Sequence, residues 1–326
     1  MKRRIRQNAA LVLIALLAAG CFDNAGHHRA GRGAHVVLGF SQPLAGTNWN
    51  DTNTESIRQA AREAGVELRL EDAHRSQENQ VAALRSFIEQ RVDVIAFSPV
   101  VETGWEGVLR EIRAARIPVI LLDRAIEISD ETLYTSLIGS DFIEEGRRAG
   151  RWLFEHTRDV PGEVYIVELQ GTVGSAPAND RKQGFAEIIA SDPRYRIIRS
   201  KSADFDRARA RDVMAEFLAA DARRIRVLFA HSDTMALGAI EAIEAAGLKP
   251  GSDILVISIE GKREALKAII AGKLNMTVEC SPLLGPQLVA MSREVAAGRP
   301  VPRRVVTQEL EFTRENAAAE LPHRAY

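Results

Sequence analysis

The chain is poor in the residue patterns that carry chemistry in short motifs. Its 326 residues include only two cysteines, Cys21 and Cys280, which excludes a disulfide framework, and their separation has no metal-ligand spacing. The seven histidines form no H-E-x-x-H or comparable cluster, so no metal site is predicted. There is no G-x-G-x-x-G after the first strand, no G-x-x-x-x-G-K-[ST] and no G-x-S-x-G elbow. No cofactor, nucleophile-base pair or enzyme class follows, and a chain with hydrogen-bonding side chains but no such pair points to binding. Charge of either sign is not in excess: 43 basic residues face 44 acidic ones, for a formal net charge of -1. That leaves out the basic field that nucleic-acid binding calls for. Aromatics make up only 6%, so a single Trp or Phe in a loop stands out.

What is present begins at the N-terminus. Lys2, Arg3, Arg4 and Arg6 precede an apolar run from Ala9 to Ala19, the layout of a secretory signal. The run falls well short of the ~20 residues a membrane-spanning helix needs. It closes on Leu17-Ala-Ala-Gly-Cys21, which resembles a bacterial lipobox, with Ala18 where Leu is usual. Either Cys21 is lipidated or an ordinary signal is cut near Gly20. The Gly/Ala/His-rich stretch Phe22 to Gly33 suits a flexible tether. Residues 1–21 are thus predicted to be a signal peptide and 22–33 a tether. Export places the protein in the periplasm or cell envelope, with a lipid anchor at Cys21 if the lipobox is read.

From His35 onward, strands and helices alternate without interruption. Predicted strands are His35–Phe40, Glu67–Leu70, Val94–Phe97, Ile117–Leu122 and Leu133–Ile138 in the first half. In the second half they are Val164–Leu169, Arg196–Ser200, Val227–Ala230, Ile254–Ile259 and Met276–Val278. Helices lie between them, for example Asn50–Ala64 ending before Gly65, and Gln77–Gln90 capped by Ser76. This order makes an α/β fold with doubly wound parallel sheets, in two similar halves. A junction near Ser136 to Ser140, with no long linker, indicates lobes joined by short crossovers.

In open α/β sheets the ligand crevice lies outside the carboxyl ends of the strands. The residues found there are the candidates: Trp49 and Asn50, Asp123 and Arg124, Arg181, Phe205, Ser232 and Glu260. An aromatic ring packs on the apolar face of a sugar, and charged groups hold its hydroxyls through the stronger class of hydrogen bond. Each has a plainer reading. Asp123-Arg124 alone is either a surface ion pair or a ligand clamp. Trp49 is either loop packing or a sugar platform, and Phe205 is either a staple of the following helix or a sugar platform. Asp180 and Asp206 read as helix N-caps, Asp233 as a cap or helix-dipole partner, and Cys280 as an inert buried thiol. Gly171-Thr-Val-Gly174 reads as a turn. Glu279 is open between structure and function.

Several segments together resemble a known family. They include Gly39-Phe-Ser-Gln42, Gln77-Glu-Asn-Gln80, Pro99-Val-Val101 with Thr103-Gly-Trp105, and Ile117 to Arg124. Val167-Glu-Leu-Gln-Gly-Thr-Val-Gly174, Asp180-Arg-Lys182 with Gly184-Phe-Ala186, and Ala245-Ala-Gly-Leu-Lys-Pro-Gly251 continue the likeness. The chain resembles the periplasmic sugar-binding proteins of ABC transporters, of the ribose-binding, pentose/hexose type, and most of all their galactofuranose-binding branch. The resemblance implies two Rossmann-like lobes joined by a three-crossover hinge, the type I periplasmic binding protein fold. It implies lobes of residues 34–138 with 281–304 and 139–280 with 305–326. It carries sugar binding onto Trp49, Asp123, Arg124, Arg181, Phe205 and Glu260. Three positions depart from the family: Ser232 stands where Asn is usual, Glu260 where Asp is usual, and Asn50 where the galactofuranose branch has Arg. These departures leave the choice of sugar open. The expected function is capture of a galactofuranose-like monosaccharide for an ABC permease in the inner membrane, by a monomer without cofactor. The alternative is a sugar sensor for a membrane receptor or kinase. A repressor effector domain of the LacI type shares the fold but requires an N-terminal helix-turn-helix, where a signal-like segment stands.

Overall fold

A computed structural model describes residues 35–46 and 48–326. The predicted signal, tether and Cys21 lie outside the described residues. The first half runs β1 (Val37–Gln42), α1 (Asn48–Ala64), β2 (Glu67–Asp72), α2 (Gln77–Glu89), β3 (Val94–Phe97), α3 (Glu106–Ala114), β4 (Val119–Leu122) and β5 (Ser136–Gly139). The second half repeats it: α4 (Phe142–Thr157), β6 (Val164–Gln170), α5 (Ala176–Ile189), β7 (Tyr195–Ser202), α6 (Arg207–Asp221), β8 (Ile225–Ala230), α7 (Asp233–Ala245), β9 (Leu255–Glu260), α8 (Arg263–Ile270) and β10 (Met276–Glu279). The chain closes with α9 (Gly285–Ala296), β11 (Arg304–Val306), β12 (Glu311–Thr313) and α10 (Ala317–Glu320).

Two six-stranded sheets result, in the orders β11-β5-β4-β3-β1-β2 and β12-β10-β9-β8-β6-β7. Pairing is parallel throughout except at β12, which runs antiparallel to β10. β3, β4, β5 and β10 are buried along their whole length. β3 and β4 accordingly read as unbroken apolar runs, since helices cover both faces of a parallel sheet, while β5 and β10 also bury Ser136, Thr277 and Glu279. The outer strands β2 and β7 are only partly covered and carry charges such as Glu71 and Arg199. In each sheet the winding reverses, between β1 and β3 in the first and between β6 and β8 in the second. Such switch points open a crevice at the carboxyl ends of the strands.

The chain passes from one sheet to the other three times: after Gly139, after Glu279 and after Val306. The two expected doubly wound lobes and their three-crossover hinge are therefore the observed fold. α9 returns to the first lobe and packs on α1. A Cβ on Gly285 would stand 2.1 Å from the Ser56 carbonyl oxygen, so this crossing needs glycine.

Capping follows the sequence reading in part. Ser76 accepts from the Asn79 amide at 3.2 Å and Asp206 from that of Arg209 at 2.8 Å, as expected. Asp180 is no cap. α5 begins at Ala176, with Ser175 before it and Pro177 in its first turn, so Asp180 lies inside the helix.

Candidate functional site

The two sheets turn their carboxyl ends toward one cleft, lined from the first lobe by Trp49, Asn50, Arg75, Asp123 and Arg124. From the second lobe come Thr172, Arg181, Phe205, Thr234, Glu260 and Lys262, with Phe142 and Cys280 at the crossovers.

Asp123 follows β4 in a left-handed conformation, φ 66, with its amide on the Ile138 carbonyl at 2.7 Å. Asp tolerates that region better than most residues. The turn aims its carboxylate at Arg124, whose Nε stands 3.5 Å from Oδ2. Arg124 also donates to the Pro99 carbonyl at 3.3 Å, while its buried Nε makes no hydrogen bond. Burial pushes the Asp123 pKa up to about 6, against the pull of Arg124, Arg181 and Arg304. This is a donor and acceptor pair held ready rather than spent on the protein itself.

Arg181 is placed by two close helices. A Cβ on Gly146 of α4 would lie 2.3 Å from the Arg181 carbonyl oxygen. One on Gly184 of α5 would lie 1.9 Å from that of Ile143. With glycine on both sides, α4 and α5 approach until Glu145 reaches Arg181, Oε2 to Nε at 2.7 Å. The guanidinium also donates to the His231 carbonyl at 2.7 Å and sits 5.0 Å over the Phe142 ring. Its buried supporting partner His231 bonds Glu168 at 3.1 Å, and burial lowers the His231 pKa. The arginine is therefore fixed in orientation before any ligand arrives.

The turn after β9 is built on Asp233. Its Oδ1 accepts from Ser258 at 2.5 Å and Thr277 at 2.7 Å, and its Oδ2 from the Lys262 amide at 2.7 Å. Glu260 and Gly261 both have positive φ, 125 and 73, which bends the chain back so that Glu260 and Lys262 face each other. Their charged groups meet at 2.7 Å, and Lys262 Nζ also donates to Thr234 at 2.7 Å. Asp233 is thus buried support for the turn, beyond the cap or dipole role read from sequence.

The aromatic residues close the ends. Trp49 donates from Nε1 to the Cys280 carbonyl at 2.8 Å, and Asn53 donates to that of Pro282 at 2.8 Å, so the start of α1 is tied to the second crossover. Asn50, one residue on, also lines the cleft. Phe205 has φ 56, and its ring lies over Gly171, where a Cβ would be 1.9 Å from Cζ. Gly171 thus makes the room for the ring.

Of the predicted residues, Trp49, Asn50, Asp123, Arg124, Arg181, Phe205 and Glu260 come together in this cleft. Ser232 does not line it. Its side chain is fully buried and caps α7, accepting from the Met235 amide at 3.2 Å. Thr234, two residues on, takes the cleft-facing place. Sequence reasoning missed Arg75, Thr172, Thr234 and Lys262. The same rule, polar residues just after a strand, points to Arg75, Thr172 and Lys262. Thr234, already inside α7, carries no such signal. Glu279 serves structure: it pairs with Arg324 at 2.5 Å and accepts from the Leu310 amide at 3.0 Å.

The three crossovers meet behind the cleft. Ser140 donates to Glu309 and lies 3.4 Å from the Cys280 sulfur. Glu145, Cys280 and Glu309 offer ligand atoms within 4.8 Å of one another. Burial pushes Glu309 up to about 8 and raises the Cys280 thiol, so both hold their protons at neutral pH. A metal would have to displace those protons and compete with Arg181 for Glu145.

Each cation lining the cleft is paired with a carboxylate: Arg124 with Asp123, Arg181 with Glu145, Lys262 with Glu260, and Arg75 with Asp204 at 2.6 Å, a carboxylate that Arg209 shares. The site is rich in fixed donors and acceptors yet balanced in charge.

Comparison with known proteins finds the same fold at substantial sequence identity. A Mycobacterium smegmatis protein crystallised with β-D-fucofuranose has 51% sequence identity, covering 88% of this chain and 94% of that one, at a TM-score of 0.86. The periplasmic binding protein of the arabinose ABC transporter of Shewanella sp. ANA-3, bound to α- and β-L-arabinofuranose, has 42% identity over 89% of this chain and 96% of its own, at a TM-score of 0.85. The galactofuranose-binding protein YtfQ of Escherichia coli (strain K12) is 42% identical over 291 residues, 88% of this chain and 91% of its own. The periplasmic binding protein domain model matches residues 38–300, and on that match and these likenesses the chain belongs to the periplasmic binding protein family.

Proposed function

We propose that this protein is exported, captures an uncharged monosaccharide in its furanose form between the two lobes, and delivers it to an ABC permease of the inner membrane. The observation that carries the reading is the pairing of every cleft cation with a carboxylate. A ligand that carried its own negative charge would need a spare cation. A neutral polyol needs donors and acceptors in fixed places, and it finds them at Asp123, Arg124, Arg181, Glu260 and Lys262. Trp49 and Phe205 flank them and offer apolar faces to a sugar ring. The furanose form is supported by the relatives, two of which are described with bound furanoses and one as galactofuranose-binding. The lobes read as residues 34–138 with 281–304 and 139–280 with 305–326, and the sugar shifts the balance between open and closed by touching both. Residues 1–21 carry the signal, which is cut before Cys21 so that Cys21 keeps the lipid, and 22–33 form the tether.

The test is a fluorescence titration of the processed protein against D-galactose, D-fucose and L-arabinose, with D-galacturonate and D-ribose as controls. Affinity of about 1 µM, roughly 8 kcal/mol, for the furanose fraction of one of the first three is expected. A folded protein that responds to none of them, or prefers the uronate, refutes the reading.

A further inference from the structure

The two lobes carry matching loops that meet across the mouth of the cleft. In the first lobe, β2 leads into α2 through His74 and Arg75, with φ 49 and 63, before the cap Ser76. In the second, β7 leads into α6 through Asp204 and Phe205, both with φ 56, before the cap Asp206. Two consecutive left-handed residues other than glycine are costly, and they occur at the equivalent place in each lobe. The loops touch: an Arg75 terminal nitrogen lies 2.6 Å from Asp204 Oδ2 and donates to the Asp204 carbonyl at 3.1 Å.

The two partners are held differently. Asp204 is fixed within its own lobe, where Oδ1 accepts from Thr172 at 2.6 Å and Oδ2 from Arg209 at 2.9 Å. For Arg75, among the described residues of its own lobe, the backbone amide alone is tied down, donating to the Pro43 carbonyl at 2.8 Å. The carboxylate is thus a preformed receiver and the arginine a long arm that reaches it only when the lobes come together. Glu102 bridges the lobes as well, its amide on the Gly174 carbonyl at 3.0 Å and its carboxylate accepting from Asn179. Among the described residues, the Arg75 contact is the one between the lobes that joins two full charges.

We propose that Arg75 and Asp204 form a charged latch across the cleft mouth that sets sugar affinity by stabilising the closed state. The proposal rests on the sugar-capture reading above. Arg75 is a positioning residue in this role, because it acts through the opposite loop. The pair forms on closure and breaks on opening, so its free energy adds to binding whatever the sugar is. The side chains remain 34% and 20% exposed, so salt screens the attraction. A neutral sugar should therefore bind with an ionic-strength dependence that its own chemistry does not explain.

The experiment is a double-mutant cycle on the processed protein with Arg75→Gln and Asp204→Asn, singly and together. Asn keeps the tolerance for positive φ. Affinity and dissociation rate are measured with L-arabinose, D-fucose and D-galactose at about 10 mM and 500 mM salt, with thermal melts as the folding control. Each single change should weaken binding about three- to fivefold at low salt, through faster release. The double variant should be no weaker than the singles, and all three should lose the salt dependence that the unaltered protein shows. Loss on Arg75→Gln that persists in the Asp204→Asn background overturns the latch and makes Arg75 a direct sugar contact. Singles that bind like the unaltered protein, or a salt dependence that survives, overturn it as well. If the unaltered protein binds none of the sugars, the capture reading fails instead, and the two failures stay distinct.

Discussion

Replacing Asp123 by Asn should make the empty protein more stable and a worse binder. Burial raises the Asp123 pKa from 3.8 to about 6 despite the arginines around it. At about 1.4 kcal/mol per unit, holding that carboxylate ionised at pH 7 costs the fold roughly 3 kcal/mol relative to the unfolded chain. The pKa is raised on folding, so the protonated form contributes stability that is fully present below about pH 4. It is lost as pH rises toward 6. Asn mimics the protonated acid. With allowance for the interaction that Arg124 loses, the variant should gain about 1–3 kcal/mol at pH 7, a Tm rise of about 2–6 °C. The gain should shrink below pH 6 and vanish near pH 4, as read by thermal melts of the sugar-free protein from pH 4 to 8. Affinity should move the other way. A carboxylate that accepts from sugar hydroxyls contributes about 2–3 kcal/mol, so the Asn variant should bind L-arabinose or D-fucose roughly 30- to 150-fold more weakly. Binding by the unaltered protein should fall about tenfold per pH unit below 6, while the variant stays flat. A variant with unchanged Tm at pH 7, or one that keeps the pH-dependent affinity, refutes the argument that this carboxylate is buried for its ligand.

Two further outcomes are expected. Gly171→Ala should drive the Phe205 ring out of its place, because the added Cβ would fall 1.9 Å from Cζ; the result is about 1–2 kcal/mol less stability and roughly tenfold weaker binding, measured by melts and titration, and full affinity would show that the ring's position is irrelevant. Cys21→Ser should abolish incorporation of labelled palmitate and release the protein from membranes in a fractionation assay, whereas unchanged membrane retention would mean that Cys21 carries no anchor.

Most of the site was legible because of one topological rule. Once the alternating pattern gives parallel sheets, polar residues after strands must face the crevice, and Asp123, Arg124 and Glu260 were found on that ground. Ser232 fails the rule for a reason the rule does not contain. It lies just before α7 at the N-cap, where its hydroxyl accepts from the Met235 amide. Asp180 errs in the opposite sense: it has the composition of a cap, but Pro177 starts α5 earlier. Lys262 satisfies the rule, and what the sequence does not show is the support of its amide by Asp233, a residue brought beside it from the previous strand-helix unit.

The sequence by itself determined the strand-helix alternation, the two halves, the carboxyl-end crevice and the Asp123-Arg124 pair. These follow from apolar periodicity and from the local rules of caps and turns, which act over a few residues. Only the tertiary structure decided which charges are partnered. Arg181 meets Glu145 across two helices, Lys262 meets Glu260 across a strained turn, and Arg75 meets Asp204 across two lobes. Ion pairs depend on distances of a few ångströms, set between distant segments for Arg181 and Arg75 and by a turn that buried Asp233 holds for Lys262, and no local pattern encodes those distances.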